Sequence, residues 1–167
     1  MKLYLSSYKL GNHTEELENW IEEHGNKILL IPNSLDIYED NERKIISINK
    51  NIKELEELGF EVIVLSLKDY FEKYDKLKED FSKYSSFFVI GGNVFALRKA
   101  MQLSGFDKFL KEILNNPNYL YAGYSAGICV LAPNLHGLDL VDEPCNPYNG
   151  DEILYNGINL LDTAYVY

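Results

Sequence analysis

The stretch that most constrains this chain is residues 118–131, Asn-Tyr-Leu-Tyr-Ala-Gly-Tyr-Ser-Ala-Gly-Ile-Cys-Val-Leu. A short apolar run, Tyr119 to Ala122, meets Gly123-Tyr124-Ser125-Ala126-Gly127, and a second uncharged apolar run follows. That order predicts a buried strand, a sharp turn and a buried helix, with Ser125 at the apex. It fits G-x-S-x-G, the elbow in which a serine sits on a strained strand-to-helix turn. The flanking glycines leave room where a side chain would strike the neighbouring strand or helix. A serine at a helix N-terminus also faces backbone N–H groups and the positive end of the helix dipole, which favour a developing anion. The same five residues also suit a plain glycine-serine turn without chemistry, so the rest of the chain has to decide.

Upstream, short apolar runs alternate with amphipathic ones. Strands are expected at Met1–Ser6, Lys27–Ile31, Glu61–Leu65 and Ser86–Ile90. Helices are expected at residues 14–24, with Thr14 as N-cap, and at 40–58, ended by Gly59. The second carries Ile45, Ile48, Ile52, Leu55 and Leu58 as its buried stripe. From Lys68 to Tyr84, Phe71, Tyr74, Leu77 and Phe81 recur at steps of three and four, a core stripe beneath a solvated charged face. A helix follows Gly91-Gly92-Asn93, another covers 106–114, and Leu160–Tyr167 reads as a last strand. This alternation implies an α/β fold: a doubly wound, mostly parallel sheet with helices on both faces. Ligands of such sheets bind beyond the carboxyl ends of the strands. The Gly91-Gly92 turn and Ser125 both fall at such ends, so one crevice can hold both.

Composition narrows the function classes. A hydrophobic fraction of 46% suits one globular domain of 167 residues, long enough for a real core. The net charge of −10 argues against nucleic acid or an anionic membrane as partner. Met1-Lys2 does not open a signal peptide and no apolar run reaches membrane-spanning length. Cys129 and Cys145 form neither a metal-ligand spacing nor a disulfide framework, which points to a reducing cytoplasm, with Cys129 as a core thiol.

Two glycines after a buried strand let backbone N–H groups come close to a reacting group. Gly91 or Gly92, beside the N–H of Ala126, would form an oxyanion hole. The rival reading of Gly91-Gly92, a phosphate cradle, lacks the G-x-G-x-x-G spacing and the G-K-[ST] ending. A flavodoxin-type flavin site would need a phosphate loop after the first strand, where Ser6-Ser7 and Gly11-Asn12 are a poor match. A serine needs a base, and the chain offers His13, His24 and His136. His24 reads as a helix-end residue and His13 as a surface-loop residue. His136 reaches the elbow only if the intervening helix is short.

Ile90-Gly91-Gly92-Asn93-Val94-Phe95-Ala96-Leu97, followed some thirty residues later by Ala122-Gly123-Tyr124-Ser125-Ala126-Gly127, resembles the peptidase E family. Its members are alpha-aspartyl dipeptidases and relatives such as cyanophycinases, on the class I glutamine amidotransferase-like, flavodoxin-like three-layer sandwich. The resemblance covers essentially the whole chain, including the Ile31-Pro32-Asn33-Ser34 turn. It implies a serine peptidase acting on short peptides, with Ser125 as nucleophile and Gly91, Gly92, Asn93 and Ala126 around the oxyanion. It places the acidic triad member at Asp142, in Asp142-Glu143-Pro144, with Asp139 as the other choice. It implies no metal or organic cofactor, a small peptide as partner, and a monomer or homodimer. In the family the catalytic histidine lies in a Pro-His turn after a segment like Gly157–Val166, with a substrate-recognising arginine beyond it. The chain is therefore expected to be a single domain lacking its C-terminal part. A catalytically inactive member that binds a peptide or small acidic ligand is the alternative. A glutaminase is disfavoured because that chemistry places cysteine at the elbow, and Cys129 lies a helical turn past it.

Overall fold

The computed structural model describes residues 1–38 and 41–161. Among these residues five strands, β1 (Lys2–Ser6), β2 (Lys27–Ile31), β3 (Glu61–Val64), β4 (Ser86–Val89) and β5 (Leu120–Tyr124), form one all-parallel sheet in the order β1-β5-β4-β2-β3. Among the described residues six α-helices accompany them: α1 (Glu15–His24), α2 (Asn41–Glu57), α3 (Tyr74–Phe81), α4 (Val94–Ser104), α5 (Phe106–Ile113) and α6 (Ala126–Cys129).

Alternation along the strands builds two cores. Leu29, Ile31, Phe87, Val89 and Tyr121 point to the face covered by α3, α4, α5 and α6. Ile28, Leu30, Phe88, Ile90, Leu120 and Ala122 point to the other, against Leu17 and Trp20 of α1 and Leu55 of α2. β2 and β4 are apolar on both faces because both faces are covered. β1 and β3 are the edges and stay partly exposed. Trp20 ties α1 to the sheet by donating from Nε1 to the Ser86 hydroxyl at 2.8 Å, inside the core. This is the three-layer architecture expected.

Some local expectations change. Thr14 stands at the N-cap of α1, but its side chain makes no capping bond and its backbone is helical. The stripe from Lys68 to Tyr84 is not one helix. A short 3₁₀ turn (Leu67–Tyr70) precedes α3, and Glu72 between them has φ 60. Leu77 and Phe81 are core residues, whereas Phe71 and Tyr74 are only partly buried and pack against that core. In α2, Leu55 is buried but Ile45 is 55% exposed, so the buried stripe does not reach the start of the helix. Residues 162–167, most of the expected last strand, lie outside the described residues, as does the expected helix start at Asp40. No helix among the described residues is long and apolar enough to cross a membrane.

β2 runs on to the edge strand β3, while β4 runs on to β5 on the opposite side. The winding therefore reverses between β2 and β4, the place where open α/β sheets bind ligands at their carboxyl ends.

Candidate active site

Ser125 lies directly between β5 and α6, with φ 51 and ψ −117. That conformation is sparsely populated for a residue with a side chain and persists only where the surroundings enforce it. The enforcement is visible. β5 is paired on both sides, with Gly123 opposite Val89 of β4 and Tyr124 opposite Ser6 of β1. α6 folds straight back: the Ser125 carbonyl accepts from Ile128 N–H at 2.8 Å and Cys129 N–H at 3.0 Å. The close fit depends on Gly127, where a Cβ would stand 2.4 Å from the Val89 carbonyl oxygen.

The second glycine turn meets the elbow. A Cβ on Gly91 would lie 3.0 Å from Ser125 Cβ and 2.6 Å from Tyr124 Cε2, so this backbone passes against the serine with no room for a side chain. Asn93 caps α4, its Oδ1 accepting from Ala96 N–H at 2.9 Å, while its Nδ2 donates to the Glu143 carbonyl at 2.8 Å. Its side chain thus braces the turn and is 3% exposed.

Beside Ser125 opens a crevice of about 610 Å³, lined by Ser7, Ser125, Ala126, Cys129, His136 and Asp142, with Ile128, Leu138 and Val141 as apolar wall. Asp142 Oδ2 accepts from the Val94 N–H, the first of α4, at 2.8 Å. Burial raises its pKa above the usual carboxylate range, opposed by that N–H. Asp139 instead faces solvent, accepting from Gly137 N–H at 2.9 Å within its own turn. Of the two aspartates, Asp142 is the one at the crevice.

The histidines separate. His13 is exposed beside Glu15 at 3.2 Å. His24 stacks on Trp20 at 3.7 Å, in a hollow with Met1 and Pro117 at the amino end of the sheet. His136 lies on the crevice, its ring parallel to that of Tyr155 at 5.0 Å. It arrives there because α6 is only one turn long, the condition set by the sequence. Cys129 lines the crevice but is 8% exposed, and burial raises its thiol pKa, with Asp142 adding to the shift, so it stays protonated. Cys145 is likewise raised by burial.

Sequence reasoning passed over Ser34 and Tyr148, which tie these parts together. Ser34 Oγ reaches the Ile90 and Gly91 carbonyls at 3.0 and 2.9 Å, and its own carbonyl accepts from Asn93 N–H at 2.9 Å. The available signal was a pair of polar residues, Asn33-Ser34, one proline after the apolar run Ile28–Ile31. Nothing local marks Tyr148.

A serine in an enforced high-energy turn, a glycine backbone against it and a carboxylate on the same crevice are parts that an acyl-transfer site combines with a base. The family model for peptidase family S51 matches residues 4–166. A crystal structure of a Listeria monocytogenes EGD-e protein, described as a candidate peptidase E, superposes with a TM-score of 0.71 at 27% identity, covering 97% of this chain and 76% of that one. A peptidase from an acI-B1 actinobacterium shares the fold, with a TM-score of 0.60 at 20% identity, covering 93% of this chain and 64% of that one. The chain thus spans between about two thirds and three quarters of these structures. No curated protein matches it. Motifs, sheet order and family model agree, and this chain belongs to peptidase family S51.

Proposed function

We propose that the chain is a serine-type peptidase that hydrolyses short peptides through an acyl-enzyme on Ser125, with alpha-aspartyl dipeptides as the first substrates to test. Ser125 Oγ attacks the scissile carbonyl and its proton passes to an imidazole. The oxyanion is held by N–H groups of the Gly91-Gly92 turn and of Ala126. The amine leaves with the proton from the imidazolium, and water then cleaves the ester to release the acid and restore the hydroxyl. Asp142 orients and stabilises the imidazolium. In the family this imidazole lies in a Pro-His turn after a segment like Gly157–Val166. Among the described histidines, His136 is the one on the crevice.

The observation that carries this reading is the backbone of Ser125, φ 51 with ψ −117, held against Gly91. That ψ lies outside the small left-handed region, about +30 to +60°, in which side-chain-bearing residues with positive φ normally settle. Removing one oxyanion donor from such a site typically costs about two to three powers of ten in rate. The test is labelling by a fluorophosphonate, read by peptide mass spectrometry, beside hydrolysis of an alpha-aspartyl dipeptide panel. Label on Ser125 is expected in the parent protein. Ser125→Gly should be unlabelled yet more stable by about 1 kcal/mol, because glycine tolerates this backbone. A folded parent protein that takes no label at Ser125 would sink the proposal.

A further inference from the structure

The turn after β2 contributes nothing to the proposed chemistry, yet Asn33 and Ser34 in it are fully buried. Ser34 grips the Gly91 turn through the three contacts given above. Asn33 faces the other way. Its Oδ1 accepts from Leu67 N–H at 2.9 Å and its Nδ2 donates to Asp36 Oδ2 at 2.6 Å. The Asp36 side chain is 3% exposed and also pairs with Lys44. Its third partner comes from 112 residues downstream: the Tyr148 hydroxyl donates to Asp36 Oδ2 at 2.7 Å, with the Asn33 carbonyl 3.3 Å away. Burial and the Asp36 charge drive the Tyr148 phenol far above its usual range, so it stays a donor. The Tyr148 ring meets Phe71 edge-on at 5.0 Å.

Tyr148 ends the loop that carries Asp142. That loop is tied to the α4 turn at Asp142 to Val94 N–H, at Glu143 to Asn93, and at Cys145 Sγ to Asn93 Oδ1 at 3.5 Å. It is tied to the β2 turn at Tyr148. One buried turn at the reversal of the winding therefore holds the glycine turn by one side and the aspartate loop by the other.

We infer that Asn33, Ser34, Asp36 and Tyr148 form a positioning frame that sets the Gly91-Gly92 backbone and the Asp142 carboxylate relative to each other and to Ser125. None of the four touches the reacting atoms. The inference rests on the hydrolase reading of Ser125 for its consequence in rate, but not for its consequence in structure.

Tyr148→Phe keeps the ring on Phe71 and deletes only the hydroxyl. The expected result is hydrogen exchange faster by about tenfold at the Asn93 and Val94 amides, with β4 amides unchanged, for the loss of one hydrogen bond to a charged group. The Ser125 labelling rate and kcat should fall by about the same factor with KM steady. Asp36→Asn should go at least as far, because it also weakens the contacts to Asn33 and Lys44, and the double variant should be no worse than Asp36→Asn alone, since the Tyr148 hydroxyl acts through Asp36. A lower melting temperature with exchange at 93–94 and labelling both unchanged would show a merely structural role and overturn the frame. Fully additive effects of the two substitutions would also overturn it. If the parent protein takes no label, the hydrolase reading fails separately, and the exchange at Asn93 and Val94 still decides the frame.

Discussion

At the scale of single residues, Ser125 and Asp142 both sit where their surroundings make them costly. Ser125 adopts φ 51 because β5 delivers it and α6 removes it within one residue. Asp142 gives up part of its hydration to reach the Val94 N–H and is left with a raised pKa. The sign follows. A native carboxyl with a raised pKa takes up its proton at higher pH than the unfolded chain does, so stability falls as pH rises through its titration, and the cost persists above it. Asp142→Asn keeps an oxygen for the Val94 N–H and removes the charge. Denaturant titrations of both proteins between about pH 4 and 7 should therefore show the parent losing stability relative to the variant as pH rises. An unchanged difference across that range would contradict the burial of this carboxyl. Ser125 and Asp142 were both legible in the chain, one from a five-residue pattern and the other through family resemblance. His136 was legible only conditionally, because its position depends on where α6 ends.

At the scale of elements, close approach sets the geometry. β4 and the β5–α6 elbow touch through Gly127, whose added Cβ would meet the Val89 carbonyl at 2.4 Å. That oxygen belongs to the middle of the sheet and cannot swing aside as a flexible side chain would. Gly127→Ala should lower the unfolding free energy by roughly 1–3 kcal/mol, the usual range for forcing an extra carbon into a packed site. Chemical denaturation measures it. The labelling rate of Ser125 should drop as well, because the displaced element is the one that holds its N–H groups. The first four strands were readable to within one residue and β5 to within two, because apolar runs closed by glycine, proline or polar residues leave little choice. The stripe from Phe71 to Phe81 misled because its period of three and four continues across a break at Glu72 that no glycine or proline announces.

At the scale of the whole molecule, the two cores meet in β2 and β4. Their side chains alternate between the faces and are 0–1% exposed from Ile28 to Ile31 and from Phe87 to Ile90. β1 and β3 carry exposed or half-exposed residues at every position. Native-state hydrogen exchange should therefore be slowest in β2 and β4, reaching the global unfolding limit there, with β3 opening earlier. Equal protection in β3 and β4 would contradict this division. The Gly91-Gly92 turn hangs from β4, and the Ser125 elbow from β5, which is paired on both sides, so both turns are carried by strands inside the sheet and not by its edges.

The sequence by itself determined the local alphabet of this protein: which runs must be strands, which helices are amphipathic, and which glycines and serine have to stand at strand ends. These follow from side-chain period and backbone freedom, which act over a few residues. Only the tertiary structure decided that β2 and β4 are neighbours while β2 and β3 wind the other way. That neighbourhood lets Ser34 reach Gly91, and it carries Tyr148 to Asp36 across 112 positions of chain. Such pairings have no local signature, because a buried polar group needs a partner of the right chemistry and is indifferent to where along the chain that partner comes from.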